Sequence, residues 1–221
     1  MWKLSTPSAG RYCNVYPATA QNVAEAQGLA GQMNARGGTG LLDGMQLSLI
    51  CASDAPAGLE PILLVLTDGQ PHEPIQTILD DTKTRNRRDR PDGDDNVLAS
   101  IFTIGLGAQA NLDFLRQLAL QNEGKFQQVY ATQDASLQLQ DFYSSIATPL
   151  LTDVSVVFDY ATADQLSLTE TEFHTYFWGS ELVVAGRLLP GAGDRLTGEI
   201  TANGAGGVVV RYPIQVGAVL L

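Results

Sequence analysis

The apolar residues near the start of the chain recur at helical spacing. Between residues 20 and 35 they fall three or four positions apart, at Val23, Ala26, Leu29, Ala30 and Met33. This spacing predicts an amphipathic helix, for which Thr19 is a suitable N-cap. The glycine stretch ARGGTG then ends the helix, and a second helix is predicted over LLDGMQLSLICA with Leu42, Met45, Leu49 and Ile50 on one face.

Three apolar runs alternate with further helical patterns. The runs are PILLVLTDG from residue 61, LASIFTIGLG from residue 98 and KFQQVYA from residue 125. Each is typical of a strand in a parallel sheet, and we expect the first to be buried on both faces. The predicted helices between and after them are PIQTILDDTKTR, a segment opened by Asn111 and closed by Gly124, and QDASLQLQDFYSSIATPLL. This alternation predicts an α/β fold with a doubly wound, Rossmann-like parallel sheet.

The pattern changes after Pro149. Short alternating segments, DVSVVFDY, ELVVAGRLL, RLTGEITANG and GGVVVRYPIQV, are separated by turn residues. They predict a small antiparallel, β-sandwich-like segment. We therefore divide the chain into an α/β domain over residues 1–150 and a β-rich domain over 151–221. His174 lies in the aromatic cluster FHTYFW, and we expect it to be a packed side chain rather than a catalyst.

The charge of the chain excludes several partners. A formal net charge of -11 opposes binding to nucleic acid or to an anionic membrane surface. The basic run KTRNRRDR, from residue 83, is compatible with a glycosaminoglycan patch, although a solvated helix end is favoured. No segment approaches the roughly 18 apolar residues of a membrane span, and MWKLSTPSAG lacks the apolar core of a signal peptide. Cys13 and Cys51 are not in a metal-binding spacing.

One carboxylate stands where ligands bind in doubly wound sheets. Asp68 follows the first predicted strand at its carboxyl end, and Thr39 lies in the glycine loop before the second helix. Carboxylate and hydroxyl oxygens suit a hard divalent cation such as Mg²⁺. His72 and Glu73 follow Asp68 closely, but we expect them to be an exposed loop pair.

Six blocks of sequence resemble a known family in their order and spacing. They are ARGGTGLLDGM, LLVLTDGQP, IFTIGLG, LRQLALQNEG, LQLQDFYSSIATPLLTDV and YFWGSELVVAGRL. From about residue 2 to residue 216 the chain resembles the heavy chains of the inter-alpha-trypsin inhibitor family. It matches the later part of their von Willebrand factor A domain and the β-rich segment after it. The resemblance implies a secreted, extracellular, hyaluronan-associated protein of a protease-inhibitor family.

The resemblance also implies a metal-ion-dependent adhesion site. In the family, Mg²⁺ or a similar ion is held by a DxSxS motif, a threonine of a glycine loop and the aspartate of a TDG turn. Thr39 and Asp68 match the second and third elements. The nearest forms of the first, DASLQ at Asp134 and DVSVV at Asp153, lack the second serine. We therefore expect a weak site, with about four of the coordination positions of Mg²⁺ left to water.

Other departures from the family limit what can be carried over. Because the first strands are not encoded, we expect the edge of the strand before Asp68 to need a partner chain or a missing segment. Trp178 stands where the family commonly has a glycan-accepting asparagine. The family's covalent link to chondroitin sulfate and hyaluronan belongs to a C-terminal segment that we do not find in this chain.

No enzyme signature emerges from the sequence. The chain has two histidines and no GxSxG elbow, its glycine loop lacks the lysine of a P-loop, and GLGAQAN is not a GxGxxG motif. We therefore expect a non-catalytic adhesion or matrix-binding module with a protein or matrix ligand, for which the resemblance allows an association with glycosaminoglycans. The alternative is a metal-independent structural fragment or isoform that acts only within a larger assembly.

Overall fold

The chain divides into two units, Met1–Ala131 and Thr132–Leu221, and each is considered by itself. The predicted domain limits, residues 1–150 and 151–221, remain a prediction. The computed structural model describes residues 16–34, 40–55, 59–67, 70–87, 97–130, 134–147, 149–178, 180–192, 195–204 and 207–217.

The first unit is an α/β layer built on a parallel sheet. Its elements are α1 (Ala20–Gly31), α2 (Leu41–Ser53), β1 (Ile62–Thr67), α3 (Ile75–Arg85), β2 (Ser100–Leu106), α4 (Leu112–Leu120) and β3 (Phe126–Val129). The strands are parallel in the order β1-β2-β3. Ile62 pairs with Ser100, and Thr103 pairs with Phe126. The predicted α/β class is confirmed.

Side-chain caps fix the starts of two of these helices. The Thr19 hydroxyl accepts a hydrogen bond from the backbone N–H of Asn22 at 3.2 Å, as predicted. The Asn111 side chain accepts one from the N–H of Phe114, also at 3.2 Å. Such a cap satisfies one of the backbone donors that a helix leaves without an internal partner at its first turn. α1 has no buried residue, so capping rather than packing holds its first turn.

The core of the first unit lies on one face of the sheet. The cluster comprises Leu41, Met45 and Leu49 from α2, Ile78 and Leu79 from α3, Ile101 from β2, and Ala110, Phe114, Leu115 and Leu118 in and before α4. Leu63 and Val65 of β1 pack against it. In α2 the predicted positions Met45 and Leu49 are buried, but Ile50 is 45% exposed. The third buried leucine or methionine of this helix is Leu41.

The two faces of β1 differ in burial. Leu64 and Leu66, on the face opposite to the core cluster, are 40% and 48% exposed. The prediction of a strand buried on both faces is therefore wrong for β1. In the neighbouring β2, Phe102 and Ile104 on that same face are buried. The physical reason is position, because β1 is at the end of the described strand order and has a single described neighbour.

Two buried asparagines secure the amino end of β2. The Asn86 side chain accepts a hydrogen bond from the N–H of Ala99 at 2.9 Å and donates to the carbonyl of Ala99 at 2.8 Å. It also donates to Oδ1 of Asn122 at 2.9 Å. The Asn122 side chain in turn donates to the carbonyl of Leu118 in α4 at 2.7 Å. The C-terminal ends of α3 and α4 are thus tied to the residue that precedes β2.

The second unit begins with a helix and continues as an antiparallel sheet. Its elements are α5 (Ala135–Ile146), β4 (Pro149–Phe158), a 3-10 turn (Gln165–Ser167), β5 (Glu172–Phe177), β6 (Arg195–Asn203) and β7 (Val209–Gly217). The strand order is β5-β4-β6-β7. Val156, Phe158 and Ala163 form the centre of its core. The predicted β-rich segment is confirmed as a four-stranded antiparallel sheet.

Two segments of this unit differ from the sequence prediction. Residues 181–189, predicted as a strand, lie outside the named strands because Thr169, Asp164 and Thr162 bond to their backbone instead. Conversely, the aromatic cluster FHTYFW supplies β5, which alternation alone did not reveal. His174 is fully buried in that strand, as expected of a packed histidine.

Candidate metal centre

The carboxyl ends of the three parallel strands meet at one edge of the sheet. Thr67, the last residue of β1, is buried and pairs with Gly105 of β2, and Leu106 pairs with Val129 of β3. Asp68 follows Thr67 directly in the sequence, and Thr39 directly precedes Gly40, the N-cap of α2. Both predicted metal ligands, Thr39 and Asp68, lie outside the described residues, so their role remains a prediction.

The loops beyond this edge are joined by neutral hydrogen bonds. The side-chain amide of Gln70, after β1, donates to the carbonyl of Gln109, after β2, at 3.5 Å. The N–H of Gly107 donates to the carbonyl of Val129 at 3.1 Å, and the amide of Gln128 donates to the carbonyl of Gly107 at 3.3 Å. These contacts connect the ends of all three strands through backbone and amide groups.

The pair that follows the TDG turn is not uniformly exposed. His72 is exposed, as expected. Glu73 is half-buried, and its Oε2 is shielded from solvent without a hydrogen-bond partner. The expectation of an exposed loop pair is therefore wrong for Glu73. The sequence offered no periodicity in QPHEP from which this burial could be predicted.

An isolated buried carboxylate oxygen fits a cation site. Burying an ionised carboxylate is unfavourable unless a donor or a cation compensates it, and carboxylates are the ligands that Mg²⁺ and Ca²⁺ prefer. Within the described ranges, no three His, Cys, Asp or Glu side chains are grouped in a way that could hold a metal ion. Glu73 follows Asp68 by five residues in the sequence, and its shielded Oε2 is what the structure adds to the sequence motif.

The two partial DxSxS sequences have other roles in the structure. Oδ1 of Asp134 accepts a hydrogen bond from the N–H of Leu137 at 3.0 Å and caps α5. Asp153 lies in β4, and its Oδ2 accepts a hydrogen bond from the Asn203 side chain at 2.8 Å. Both carboxylates are engaged within the second unit, as their sequence context predicted.

Cys51, at the end of α2, is disulfide-bonded. The chain contains one other cysteine, Cys13, which lies outside the described residues. The spacing of the two cysteines had not predicted this bond. None of the described helices has the length and hydropathy needed to cross a membrane.

Comparisons with known proteins agree with the sequence resemblance. No family model matches the chain. Heavy chain H4 of the inter-alpha-trypsin inhibitor from Bos taurus is 35% identical over 190 residues, which is 83% of this chain and 20% of that protein. The chain is related to a segment of the inter-alpha-trypsin inhibitor heavy chains. Heavy chain H2 from Homo sapiens is 32% identical over 196 residues, or 85% of this chain and 20% of that protein.

The fold is that of a von Willebrand factor A domain. A solved von Willebrand factor type A structure from Catenulispora acidiphila matches with a TM-score of 0.62 and 17% identity. The match covers 96% of this chain and 54% of that one. The chain spans about a fifth of the length of the heavy chains that it matches. The activity of a whole heavy chain is therefore not assigned to it.

Proposed function

We propose that the chain is a non-catalytic adhesion or matrix-binding module that uses a divalent cation held by Asp68 and Thr39. The observation that carries the proposal is the edge where three parallel strands of a von Willebrand A fold end, with Asp68 next in sequence after Thr67. Ligands of doubly wound sheets bind beyond such an edge. The orphaned oxygen of Glu73 in the following loop supports a cation there.

The charge distribution favours a protein ligand with an acidic group over a direct contact with a polyanion. A net charge of -11 repels glycosaminoglycans at long range. Within the basic run, the Arg85 guanidinium is already paired with the carboxylate of Asp81 at 2.9 Å. A bound Mg²⁺, by contrast, concentrates positive charge at a single position where a ligand carboxylate can bind. Any association with hyaluronan or another glycosaminoglycan would then be indirect.

We propose an extracellular location for the protein. Disulfides persist in oxidising compartments and are rare in the cytosol. The disulfide of Cys51 supports this location independently of the similarity to secreted heavy chains.

Calorimetric titration of the chain with Mg²⁺ and Mn²⁺ tests the cation site. We expect saturable binding that Asp68→Ala abolishes and that Asp141→Ala, at an exposed position of α5, leaves unchanged. The control removes the same charge far from the TDG turn in sequence. Submillimolar binding that survives Asp68→Ala would remove the assigned site.

A second candidate, a metal-independent structural part of a larger assembly, is favoured by β1, which ends the described strand order and exposes Leu64 and Leu66. An apolar strand edge is a template for pairing with another chain. This candidate predicts self-association at micromolar concentration that is equal in EDTA and in Mg²⁺, measured by sedimentation velocity. A monodisperse monomer with cation-dependent ligand binding would contradict it.

A further inference from the structure

The turn that joins β6 to β7 begins with a dipeptide that is prone to chemical change. Asn203, the last residue of β6, is followed by Gly204, and no other asparagine of the 221 residues precedes a glycine. The backbone nitrogen after an asparagine can attack the side-chain amide carbon. Glycine favours this attack, because it has no side chain beside that nitrogen and its backbone rotates freely. Asn203 is therefore the asparagine of this chain that is most reactive toward deamidation.

The geometry of the turn does not require this dipeptide. Asn-Gly is preferred at the two central positions of a type I′ turn, where both residues have positive φ. Asn203 instead pairs with Val209 at the end of the ladder, and its φ is not positive. Gly204 is not in the left-handed region either, and a Cβ on it would lie 3.4 Å from the carbonyl oxygen of Val208, which is ordinary contact. The position that favours glycine is Gly207, with a φ of 75°.

Hydrogen bonds engage both reacting groups of the dipeptide. The side-chain amide of Asn203 donates from Nδ2 to Oδ2 of Asp153 in β4 at 2.8 Å. The backbone N–H of Gly204 donates to the carbonyl of Val208, also at 2.8 Å, and closes the turn. The attack requires the Gly204 nitrogen without its proton and turned toward the amide carbon, so both hydrogen bonds must break first. The folded hairpin thus protects the dipeptide, and the reaction depends on local opening.

Asp153 is placed to oppose the product of the reaction. It has a φ of 47° and lies at an irregularity in the pairing of β4 with β6, between Thr152 and Ser155. A bulge of this kind redirects a side chain, and here the carboxylate meets the amide of Asn203. An aspartate at position 203 has no N–H to donate, and two carboxylates at hydrogen-bond distance repel each other. Deamidation therefore replaces an attractive contact by a repulsive one.

We propose that Asn203 is a deamidation site that the folded β6–β7 hairpin protects, and that its modification weakens the closed hairpin. In the reaction, the nitrogen of Gly204 loses its proton and bonds to Cγ of Asn203, while the bond from Cγ to Nδ2 breaks and ammonia leaves. One water molecule then opens the succinimide ring to aspartate or isoaspartate. The reaction requires no oxidant or reductant. The extent of modification therefore records how often the hairpin has opened.

Peptide mapping by mass spectrometry measures the reaction in the whole chain. The parent chain is incubated at mildly alkaline pH, either folded in buffer or unfolded in concentrated urea. We expect Asn203 to deamidate at least about tenfold more slowly in the folded chain, because the hairpin opens only part of the time. Gly204→Ala should suppress the reaction even in urea. Asn34, which is exposed and followed by alanine, is the internal control and should remain unmodified.

Removing the carboxylate at position 153 tests its protective role. Asp153→Gly deletes the acceptor of the Asn203 amide and tolerates the positive φ. It should raise the rate in the folded chain about threefold or more and leave the rate in urea unchanged. Asp141→Asn, which removes a carboxylate at an exposed position of α5, should leave both rates unchanged.

A reciprocal exchange tests the effect of the product and does not depend on the folding of Asp153→Gly. Asn203→Asp mimics the modified chain, and its unfolding midpoint in urea should fall. The double variant Asp153→Asn/Asn203→Asp places the amide on β4 and the carboxylate on β6, with the net charge of the parent chain. It can form the same kind of hydrogen bond in the opposite direction, so most of the lost midpoint should return.

Three results would each contradict the proposal. The first is an equal rate of deamidation in the folded and unfolded parent chain, or no product in urea. The second is a folded Asp153→Gly variant that deamidates at the rate of the parent chain. The third is an Asn203→Asp midpoint equal to that of the parent chain, or one that the reciprocal exchange does not restore.

Discussion

Replacing Asn86 by alanine should be among the most damaging single changes in the first unit. Asn86 is 1% exposed, and its side chain makes three hydrogen bonds, two with the backbone of Ala99 and one with Asn122. Asn86→Ala leaves the N–H of Ala99 and Oδ1 of Asn122 buried without these partners. At about 1–3 kcal/mol for each buried group left unsatisfied, we expect a loss of about 3–5 kcal/mol in the free energy of unfolding.

Urea denaturation followed by circular dichroism measures this loss. The unfolding midpoint should fall while the slope with denaturant stays constant, since the surface exposed on unfolding changes little. Asn34→Ala is the matched control, because Asn34 is exposed and donates one hydrogen bond to the carbonyl of Gln32 at 3.0 Å. The control should change stability by at most about 0.5 kcal/mol.

The pair formed by Asn86 and Asn122 allows a stricter test of the same reasoning. Because the two side chains share a hydrogen bond, their effects should not be additive. The loss of unfolding free energy in the double variant Asn86→Ala/Asn122→Ala should be smaller than the sum of the two single losses by at least about 1 kcal/mol. An Asn86→Ala loss below about 1 kcal/mol, or additive single effects, would refute the view that this network secures β2.

Three further predictions concern backbone packing, the strand edge and the disulfide. Gly124→Ala places a Cβ 1.8 Å from the carbonyl oxygen of Ile101, so it should lower the free energy of unfolding by about 2–3 kcal/mol. Gly44→Ala, in open space on α2, should raise it by up to about 1 kcal/mol in the same urea assay. Similar effects of the two substitutions would contradict this. Leu66→Lys should reduce self-association in sedimentation velocity with little loss of stability, and unchanged association would count against β1 as the contact. Cys51→Ser should lower the unfolding free energy by about 2–4 kcal/mol, and an unchanged Tm would show that the disulfide does not stabilise the fold.

Local patterns predicted the first unit well because its elements follow local rules. Spacing and caps gave α1, α3 and α4, and the buried run gave β2. β1 is more apolar than β2, so composition could not reveal that Leu64 and Leu66 face outward. That difference depends on the order of strands in the sheet, which a single run of residues does not encode.

Local sequence patterns were also insufficient for the candidate site and for the second unit. The position of Asp68 after β1 followed from a local motif, whereas the burial of Glu73 depends on the three-dimensional course of a loop with no periodicity. β5 was missed because its polar residues Glu172, His174 and Thr175 interrupt the apolar pattern, although His174 is buried. Local patterns supplied the order of most elements, and the resemblance to heavy chains added the family and the expected metal site.

The solvent-exposed helix α1 should behave as the least protected helix of the first unit. Isolated helices of about 12 residues are marginal in water, and α1 is a 12-residue helix without a buried side chain. Its amides should therefore exchange with solvent through local fraying, whereas those of β2 should exchange only when the whole unit unfolds. In limited proteolysis, cleavage within α1 should precede any cut in the sheet. The rate at which a protease cuts the intact chain should thus depend on local opening of α1. The stability of the fragment left after that cut should depend on the buried sheet.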